Sequence, residues 1–269
     1  NDPEGRTQMD FGLQGKVALV FGAGGGLGGA IAHSLSGEGA RVVLADIDGD
    51  AARRATSRLS GEGAEAMALE WDIADLSVIA SRISEIEAKF GSVSILVNIT
   101  GGPPPTPAAG QAPELWTKHF DSMVRSVIAV TDAVLPGMRR QGWGRIITST
   151  SSGIVSPIPN LGISNALRLA LVGWSKTMAR EVGHDGITTN IILPGRIATA
   201  RITYLDEQKA RREGRSVESV SQESADAIPV GRYGRPEEYA DAVAFLASQQ
   251  ASYITGTVMR VDGGLIASI

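Results

Sequence analysis

The chain has 269 residues, of which 43% are hydrophobic and 20% charged, so it is long enough to bury a large core in one α/β domain. Its net charge of -4 gives no indication of a surface that binds nucleic acid or membrane. The absence of cysteine excludes disulfides, thiolate metal sites and a thiol nucleophile, and no His, Asp and Glu pattern has metal-ligand spacing. No apolar run approaches the ~18 residues of a membrane helix, so we expect a cytoplasmic protein.

Short β-branched runs alternate with helical patterns along the chain. Several of these runs are apolar almost without interruption, which is typical of parallel strands covered by helices on both faces. The predicted strands are residues 17–21, 41–45, 66–70, 95–97, 145–148, 189–193 and 258–261, and the clearest predicted helices are residues 27–36, 50–59, 76–90 and 115–140. The pattern predicts a single doubly wound α/β Rossmann domain over residues 12–269, with a seven-stranded parallel sheet and helices on both faces.

Three stretches interrupt this alternation. Residues 1–11 are polar and aperiodic, and we expect them to form a flexible N-terminal extension. Residues 101–107 are so rich in glycine and proline that they can form neither helix nor sheet ladder. Residues 197–233 form a long polar insert with helical character around 207–214, which we expect to act as a lid. The second and third stretches leave from carboxyl ends of strands, where doubly wound sheets bind ligands, so they are expected to flank the site.

A glycine-rich turn joins the first strand to the first helix. Its candidate pyrophosphate-binding residues are Gly22, Gly26, Leu27 and Gly28, since a tight glycine turn lets the backbone and the free N–H groups of a helix N-terminus approach a phosphate. Asp46 ends the next strand, 24 positions after Gly22. Its carboxylate would accept hydrogen bonds from the adenosine ribose hydroxyls and repel a 2'-phosphate, and the turn carries no arginine or lysine. The sequence therefore predicts NAD in preference to NADP.

Several motifs together resemble the short-chain dehydrogenase/reductase family over roughly residues 12–269. The resemblance is carried by the glycine turn, Trp71-Asp72-Ile73, Leu96-Val97-Asn98, the run from Leu193 to Thr199, and a C-terminal region similar to that of ketoacyl-carrier-protein reductases. It implies adenine contacts from Asp72 and Ile73 and a role at the central strand end for Asn98 and Gly101. It also implies nicotinamide contacts from Pro194, Gly195, Ile197 and Thr199.

The catalytic positions depart from the family pattern. Where the family has Asn, Ser, Tyr and Lys, alignment on the neighbouring motifs places Met123, Ser151, Ser164 and Arg168. The chain thereby resembles a ketoacyl-reductase-like subgroup with an atypical tetrad. Ser is a poor acid near neutral pH and Arg cannot act as a base. We expect Arg168 to hold the nicotinamide ribose, and Ser151 with Ser164 to orient a substrate oxygen.

Two functions remain open from the sequence. The first is an NAD(P)-dependent oxidoreductase acting on a small hydroxyl or carbonyl compound, with an altered proton relay, and it rests on the intact segment from Pro194 to Thr199. The second is a non-redox protein that holds the cofactor, such as a sensor, a scaffold or a lyase-like enzyme. Tyr204, in the insert, is a candidate replacement for the missing Tyr, although an exposed lid residue is the preferred interpretation. Apolar surface on the two long central helices predicts a homotetramer.

Overall fold

Seven parallel strands form one sheet in the order β3-β2-β1-β4-β5-β6-β7 in the computed structural model, which describes residues 10–269. The strands are β1 (Val17–Phe21), β2 (Arg41–Asp46), β3 (Ala66–Glu70), β4 (Ile95–Asn98), β5 (Gly144–Ser149), β6 (Ile187–Pro194) and β7 (Val258–Val261). The strand order reverses between β1 and β4, and in such sheets this switch point opens a crevice for ligands. The predicted doubly wound Rossmann fold is confirmed.

Helices cover both faces of this sheet, as predicted. They are α1 (Gly26–Gly37), α2 (Gly49–Gly61), α3 (Ile79–Phe90), α4 (Pro113–Phe120), α5 (Ser126–Gln141), α6 (Gly162–Val182), α7 (Ala200–Glu213), α8 (Val217–Asp226) and α9 (Pro236–Ala247). A single π-helical turn, Asp121–Arg125, joins α4 to α5. Within residues 10–269, no helix combines the length and the apolar character that a membrane span requires.

The central strands are buried on both faces because their side chains alternate between two cores. In β1, Ala18 and Val20 belong to the core that α1, α2 and α9 cover. Val17, Leu19 and Phe21 belong to the opposite core, beneath α3, α5 and α6. Because helices cover both faces of the sheet, only the ends of the strands are open to a ligand.

The structure corrects several boundaries. Strands β5 and β6 extend by one or two residues at each end beyond the predicted ranges. Phe11, which we assigned to the extension, packs against the first core, and its carbonyl accepts a hydrogen bond from Gln249 N. The rest of the predicted extension, residues 1–9, lies outside the described residues. In the Gly/Pro-rich stretch, Thr106 does form one isolated parallel bridge, with Leu161, although we expected no ladder there.

The predicted insert at residues 197–233 is more ordered than we expected. Instead of one helical patch around residues 207–214, it holds the complete helices α7 and α8. The carboxylate of Asp206, which is 2% exposed, accepts hydrogen bonds from Arg196 Nη1 at 2.5 Å and from Tyr233 Oη at 2.7 Å. Ser221 Oγ on α8 donates to it at 3.3 Å. One buried acid therefore fixes α7 to α8 and to the loops on either side.

Candidate active site

One large cavity of about 900 Å³ lies beyond the carboxyl ends of the central strands. Its walls come from the turn after β1, the loops after β4, β5 and β6, the first turns of α6, and the inner face of α7. This is the place where a doubly wound sheet binds its ligand. The size falls in the range of ligand-binding clefts.

The glycine turn has the geometry of a phosphate cradle. A Cβ at Gly28 would lie 2.2 Å from the carbonyl oxygen of Gly22, so only glycine lets α1 pack this closely on the end of β1. The N-cap residue of α1, Gly25, supplies no side-chain hydrogen bond, and the first turn of α1 has no acidic residue. The helix N–H groups and the positive end of its dipole thus face the cavity and fit the pyrophosphate of a dinucleotide.

Asp46 closes the turn from the β2 side. Its carboxylate accepts hydrogen bonds from Gly24 N at 2.8 Å and from Asp48 N at 3.0 Å. A Cβ at Gly24 would lie 2.9 Å from the same carboxylate, so the acid and the turn fit closely. The sequence analysis found no arginine or lysine in the turn itself, but the fold brings Arg53 and Arg54 of α2 to a shallow depression beside Gly24.

The ends of β4 and β5 carry polar atoms without partners. Asn98 Nδ2 donates to Thr148 Oγ1 at 3.3 Å, whereas Asn98 Oδ1 has no partner within the described residues. The hydroxyls of Thr100 and Thr150, which line the cavity, are likewise buried and unpaired in this part of the chain. Buried polar groups are rarely left unpaired in proteins. The two threonine hydroxyls therefore fit a site that a polar ligand completes.

The segment after β6 closes the cavity from the opposite side. Gly195 N donates to the carbonyl of Val261 at 2.9 Å, and a Cβ at Gly195 would lie 2.6 Å from Asp262 Cα, so this glycine is required for the close approach of the two chains. Thr199 reaches the glycine turn, where its Cγ2 would lie 3.8 Å from a Cβ at Gly26. The nicotinamide-side segment and the pyrophosphate turn thus belong to one continuous groove.

Arg168 is the buried cation of the site. Its Nε donates to Ser164 Oγ at 3.3 Å, its Nη1 to the Ser149 carbonyl at 3.4 Å, and its Nη2 to the carbonyls of Thr100 and Gly101 at 3.3 and 3.0 Å. Burial, followed by the positive charge of Arg201, lowers the pKa of Arg168 to about 10. The guanidinium therefore remains protonated at neutral pH and can hold or stabilise an oxygen but cannot accept a proton.

The two serines at the expected catalytic positions face the same cavity. Ser164 is 6% exposed and accepts the hydrogen bond from Arg168, so its hydroxyl hydrogen is free for a ligand oxygen. Ser151 caps a short 3-10 turn, in which its Oγ accepts from Gly153 N at 3.2 Å. Both side chains line the cavity. Within residues 10–269, no base is hydrogen-bonded to either hydroxyl group.

The family's Asn position is occupied by a core residue. Met123 is 1% exposed, lies in the π-helical turn and packs in a third hydrophobic cluster with Ile163 and Leu167. It does not line the cavity, and neither does Tyr204, whose ring lies 5.5 Å from the Arg201 guanidinium. Phe21, at the end of β1, is buried edge-to-face against Trp71. Met123 and Phe21 therefore serve packing.

Most of the predicted site residues meet at this cavity. Those that line it are Gly22, Gly26, Leu27, Gly28, Gly101, Ser151, Ser164, Arg168, Pro194, Gly195, Ile197 and Thr199. Those outside its lining are Asp46, Asp72, Ile73 and Asn98. The Asp72 carboxylate is exposed and accepts from Ala74 N at 2.9 Å, and Ile73 packs partly into the core. Within the described residues, neither the Asp72 nor the Ile73 side chain makes a contact that indicates an adenine site, so their role in binding adenine stays a prediction.

Several residues that line the cavity were not predicted from the sequence. Arg201, Ile202 and Leu205 come from α7, and Ile158 comes from the loop before α6. A charged residue at the start of a polar helix has no local signature that separates it from a solvated one. The only available signal was the position of Arg201, two residues after the predicted nicotinamide-binding Thr199.

A family profile described as enoyl-(acyl carrier protein) reductase matches residues 22–266. The 3-oxoacyl-(acyl-carrier-protein) reductase FabG of Salmonella typhimurium is 36% identical to the chain over 255 residues, which cover 94% of this chain and 98% of that relative. The chain belongs to the short-chain dehydrogenase/reductase family.

Solved structures of the short-chain dehydrogenase/reductase fold superpose closely on this chain. L-sorbose reductase from Gluconobacter frateurii, solved with NADPH and L-sorbose, has a TM-score of 0.91 at 32% identity and covers 97% of this chain and 100% of its own. A xylitol dehydrogenase bound to NAD+ has a TM-score of 0.88 at 26% identity, with 94% and 99% covered. The relatives therefore include binders of either nicotinamide cofactor.

Proposed function

We propose that this protein is an NAD-dependent oxidoreductase that interconverts a hydroxyl and a carbonyl group on a small molecule. The observation that carries the proposal is the continuity of one cavity from the glycine turn, through the segment from Pro194 to Thr199, to Ser151, Ser164 and Arg168. A protein that bound only the adenosine half would not need the second half of this groove. The names of the relatives, which are reductases and a dehydrogenase, support the same reaction class.

In this reaction the residues of the cavity would have separate roles. When bound, a nicotinamide would supply the hydride that adds to the substrate carbonyl carbon, and the resulting alkoxide would take its proton from solvent water. Ser151 and Ser164 orient the substrate oxygen through their hydroxyl groups, and Arg168 holds the nicotinamide ribose and places positive charge near that oxygen. General acid–base help is typically worth about 10²–10⁴ in rate. Orientation and electrostatic stabilisation can still drive the reaction without it, at a lower rate.

The proposed preference for NAD rests on Asp46. Its carboxylate is fixed by two backbone N–H groups at the end of β2, where it would meet the adenosine ribose. A 2'-phosphate placed there would be repelled by the acid. Arg53 does not offset this repulsion, because its guanidinium is bonded to Asp50 at 2.6 Å and lies 3.6 Å from Glu70.

A non-redox function is the second candidate. It is favoured by the burial of Met123 in the core and by the fact that no tyrosine of residues 10–269 lines the cavity. The cofactor would then be held as a sensor or scaffold element, or Ser151 and Arg168 would act in a lyase-like reaction.

The two candidates predict different behaviour of NADH absorbance. We expect NADH oxidation with at least one carbonyl compound, or NAD+ reduction with at least one alcohol, in a broad panel. The Arg168→Met variant should lose this activity. Tight NADH binding without turnover on any compound would favour the non-redox function.

A further inference from the structure

Two arginine side chains converge at one point of the cavity wall. A Cβ built on Gly102 would lie 3.4 Å from Nη2 of Arg201 and 3.5 Å from Nη2 of Arg168. The two Nη2 atoms therefore lie at most about 7 Å apart beside the backbone of Gly102, and one anionic group in the cavity can reach both guanidinium groups. Arg168 comes from α6 and Arg201 from the first turn of α7. The fold has thus brought two cations together from separate elements.

No carboxylate of the described residues compensates this pair of charges. Every partner of Arg168 is a carbonyl or a hydroxyl, and Arg201 Nη2 donates to the carbonyl of Pro103 at 3.0 Å. The acids that line the cavity are Glu213 and Glu223, and both are bonded to Arg215. Burial lowers the pKa of Arg201 and also that of Arg168. Arg168 is buried without a counter-ion, which is unfavourable unless a ligand supplies negative charge, whereas Arg201 remains exposed and can meet an incoming anion.

We propose that the substrate carries an acidic group, a carboxylate or a phosphate, which binds between Arg168 and Arg201. The inference rests on the proposed function, because the same molecule would present its hydroxyl or carbonyl to Ser151 and Ser164. Arg201 would donate hydrogen bonds directly to the acidic group, since only one of its N–H groups has a partner within the described residues. Arg168, whose N–H groups are mostly occupied, would attract the acidic group through its positive charge. Planar guanidinium groups match carboxylate and phosphate oxygens in geometry.

One part of the remaining cavity wall is apolar and indicates the character of the rest of this molecule. Ile158, Ile202, Leu205 and Leu265 line the same cavity with apolar side chains. A substrate that fills it would be an acid with an apolar chain, such as a hydroxy or oxo acid. A neutral polyol would leave both cations uncompensated and its own hydroxyl groups against apolar walls.

The pyrophosphate of the cofactor is the alternative source of negative charge. It has its own cradle at the glycine turn, whereas Arg201 donates to Pro103 in the loop after β4. Substitution of Arg201 distinguishes the substrate's acidic group from the cofactor's pyrophosphate. If the substrate supplies the negative charge, the substitution should weaken substrate binding and leave cofactor affinity unchanged.

Calorimetry on the NAD+-saturated protein tests the site without any turnover. The probes are malonate, inorganic phosphate and the neutral malonamide. We expect malonate or phosphate to bind and malonamide not to bind, and the tighter of the two anions identifies the acidic group. Because none of these probes reacts, this pattern would uphold the anion site even if hydride transfer were never found.

Two substitutions at the proposed anion site test its location, and a third substitution outside the site serves as a control. Arg201→Gln should weaken anion binding by roughly tenfold or more, and Gly102→Ala should also weaken it, because the added methyl group would cover both Nη2 atoms at ordinary van der Waals distance. Arg211→Gln, on the outer face of α7 and paired with Glu207, should leave anion affinity unchanged. The inference is overturned if malonamide binds as tightly as malonate, if Arg201→Gln has no effect, or if Arg201→Gln weakens NAD+ binding equally.

Discussion

Arg168 donates a hydrogen bond from Nε to the Oγ of Ser164, which lies one turn earlier on α6, at 3.3 Å. These residues occupy the positions at which the family has Lys and Tyr. The hydrogen bond leaves the serine hydroxyl hydrogen available to a ligand and holds the arginine against its own helix. The pair can thus orient an oxygen, although neither member can exchange a proton near neutral pH.

The protonation of residue 168 can be probed by substitution with lysine. Burial lowers the pKa of Arg168 to about 10, so NADH affinity of the native protein should be constant from about pH 6.5 to about pH 8.5. A lysine has an ordinary pKa of about 10.4, and the same burial would lower it into this window. Because the protonated form binds, the Arg168→Lys variant should lose NADH affinity as pH rises. Fluorescence titration at several pH values measures this.

Arg168→Met provides the neutral control. It should bind NADH roughly 10- to 100-fold more weakly, with no pH dependence, since it lacks a charge-assisted hydrogen bond. If the methionine variant binds NADH as the native protein does, Arg168 does not hold the ribose.

Cofactor selectivity should follow Asp46. We expect NAD(H) to bind at least roughly tenfold more tightly than NADP(H), because like charges in contact are strongly unfavourable. Asp46→Ser should narrow the difference. Gly25→Arg should narrow it further, since Gly25 has extended backbone with φ of 176° and open space at its Cβ position. Calorimetry with both cofactors checks this, and tighter binding of NADP(H) by the native protein would refute the assignment.

Asp206 should stabilise the lid. Its substitution by asparagine leaves the Arg196 guanidinium without a counter-ion in a partly buried place, which should cost about 2–3 kcal/mol, somewhat less than a fully buried pair. Urea unfolding and limited proteolysis of residues 197–233 measure the effect. Asp226→Asn, at an exposed position bonded only to Gln222, is the matched control. Equal stability of the two variants would contradict this account of the lid.

The predicted homotetramer is supported by apolar side chains left exposed on the central helices. Leu169 on α6 is 52% exposed and Phe120 on α4 is 42% exposed. Light scattering should give a tetrameric mass at micromolar concentration, and Leu169→Asp should reduce it. Ile47→Asp, at an exposed apolar residue beyond β2, should not change the mass. A monomeric native protein would exclude this assembly.

The sequence predicted the framework well because the framework depends on local pattern. The apolar run from Val17 to Phe21 and the glycine turn after it have signatures that one strand and one helix impose by themselves. The positions of Ser164 and Arg168 followed from the resemblance of neighbouring motifs to the family pattern, and their spacing of one helical turn placed them on the same helix face. None of these three features depends on contacts with residues that are distant in sequence.

The features that were missed depend on contacts between distant elements. Helices α7 and α8 are held by Asp206, whose partners lie as far away in sequence as Tyr233. The meeting of Arg201 with Arg168 at Gly102 joins three separate segments. No periodicity in the sequence encodes such encounters, and only the assembled fold shows them.

The central claim is that this chain transfers a hydride with Ser164 and Arg168 in place of Tyr and Lys. The most direct measurement uses NADH carrying deuterium at carbon 4 and mass spectrometry of the product formed from a panel of oxo acids and simple ketones. The account predicts deuterium on the former carbonyl carbon, with faster transfer to a simple ketone in the Ser164→Tyr, Arg168→Lys double variant. Tight NADH binding without label in any product, and no gain from a folded, NADH-binding double variant, would contradict it.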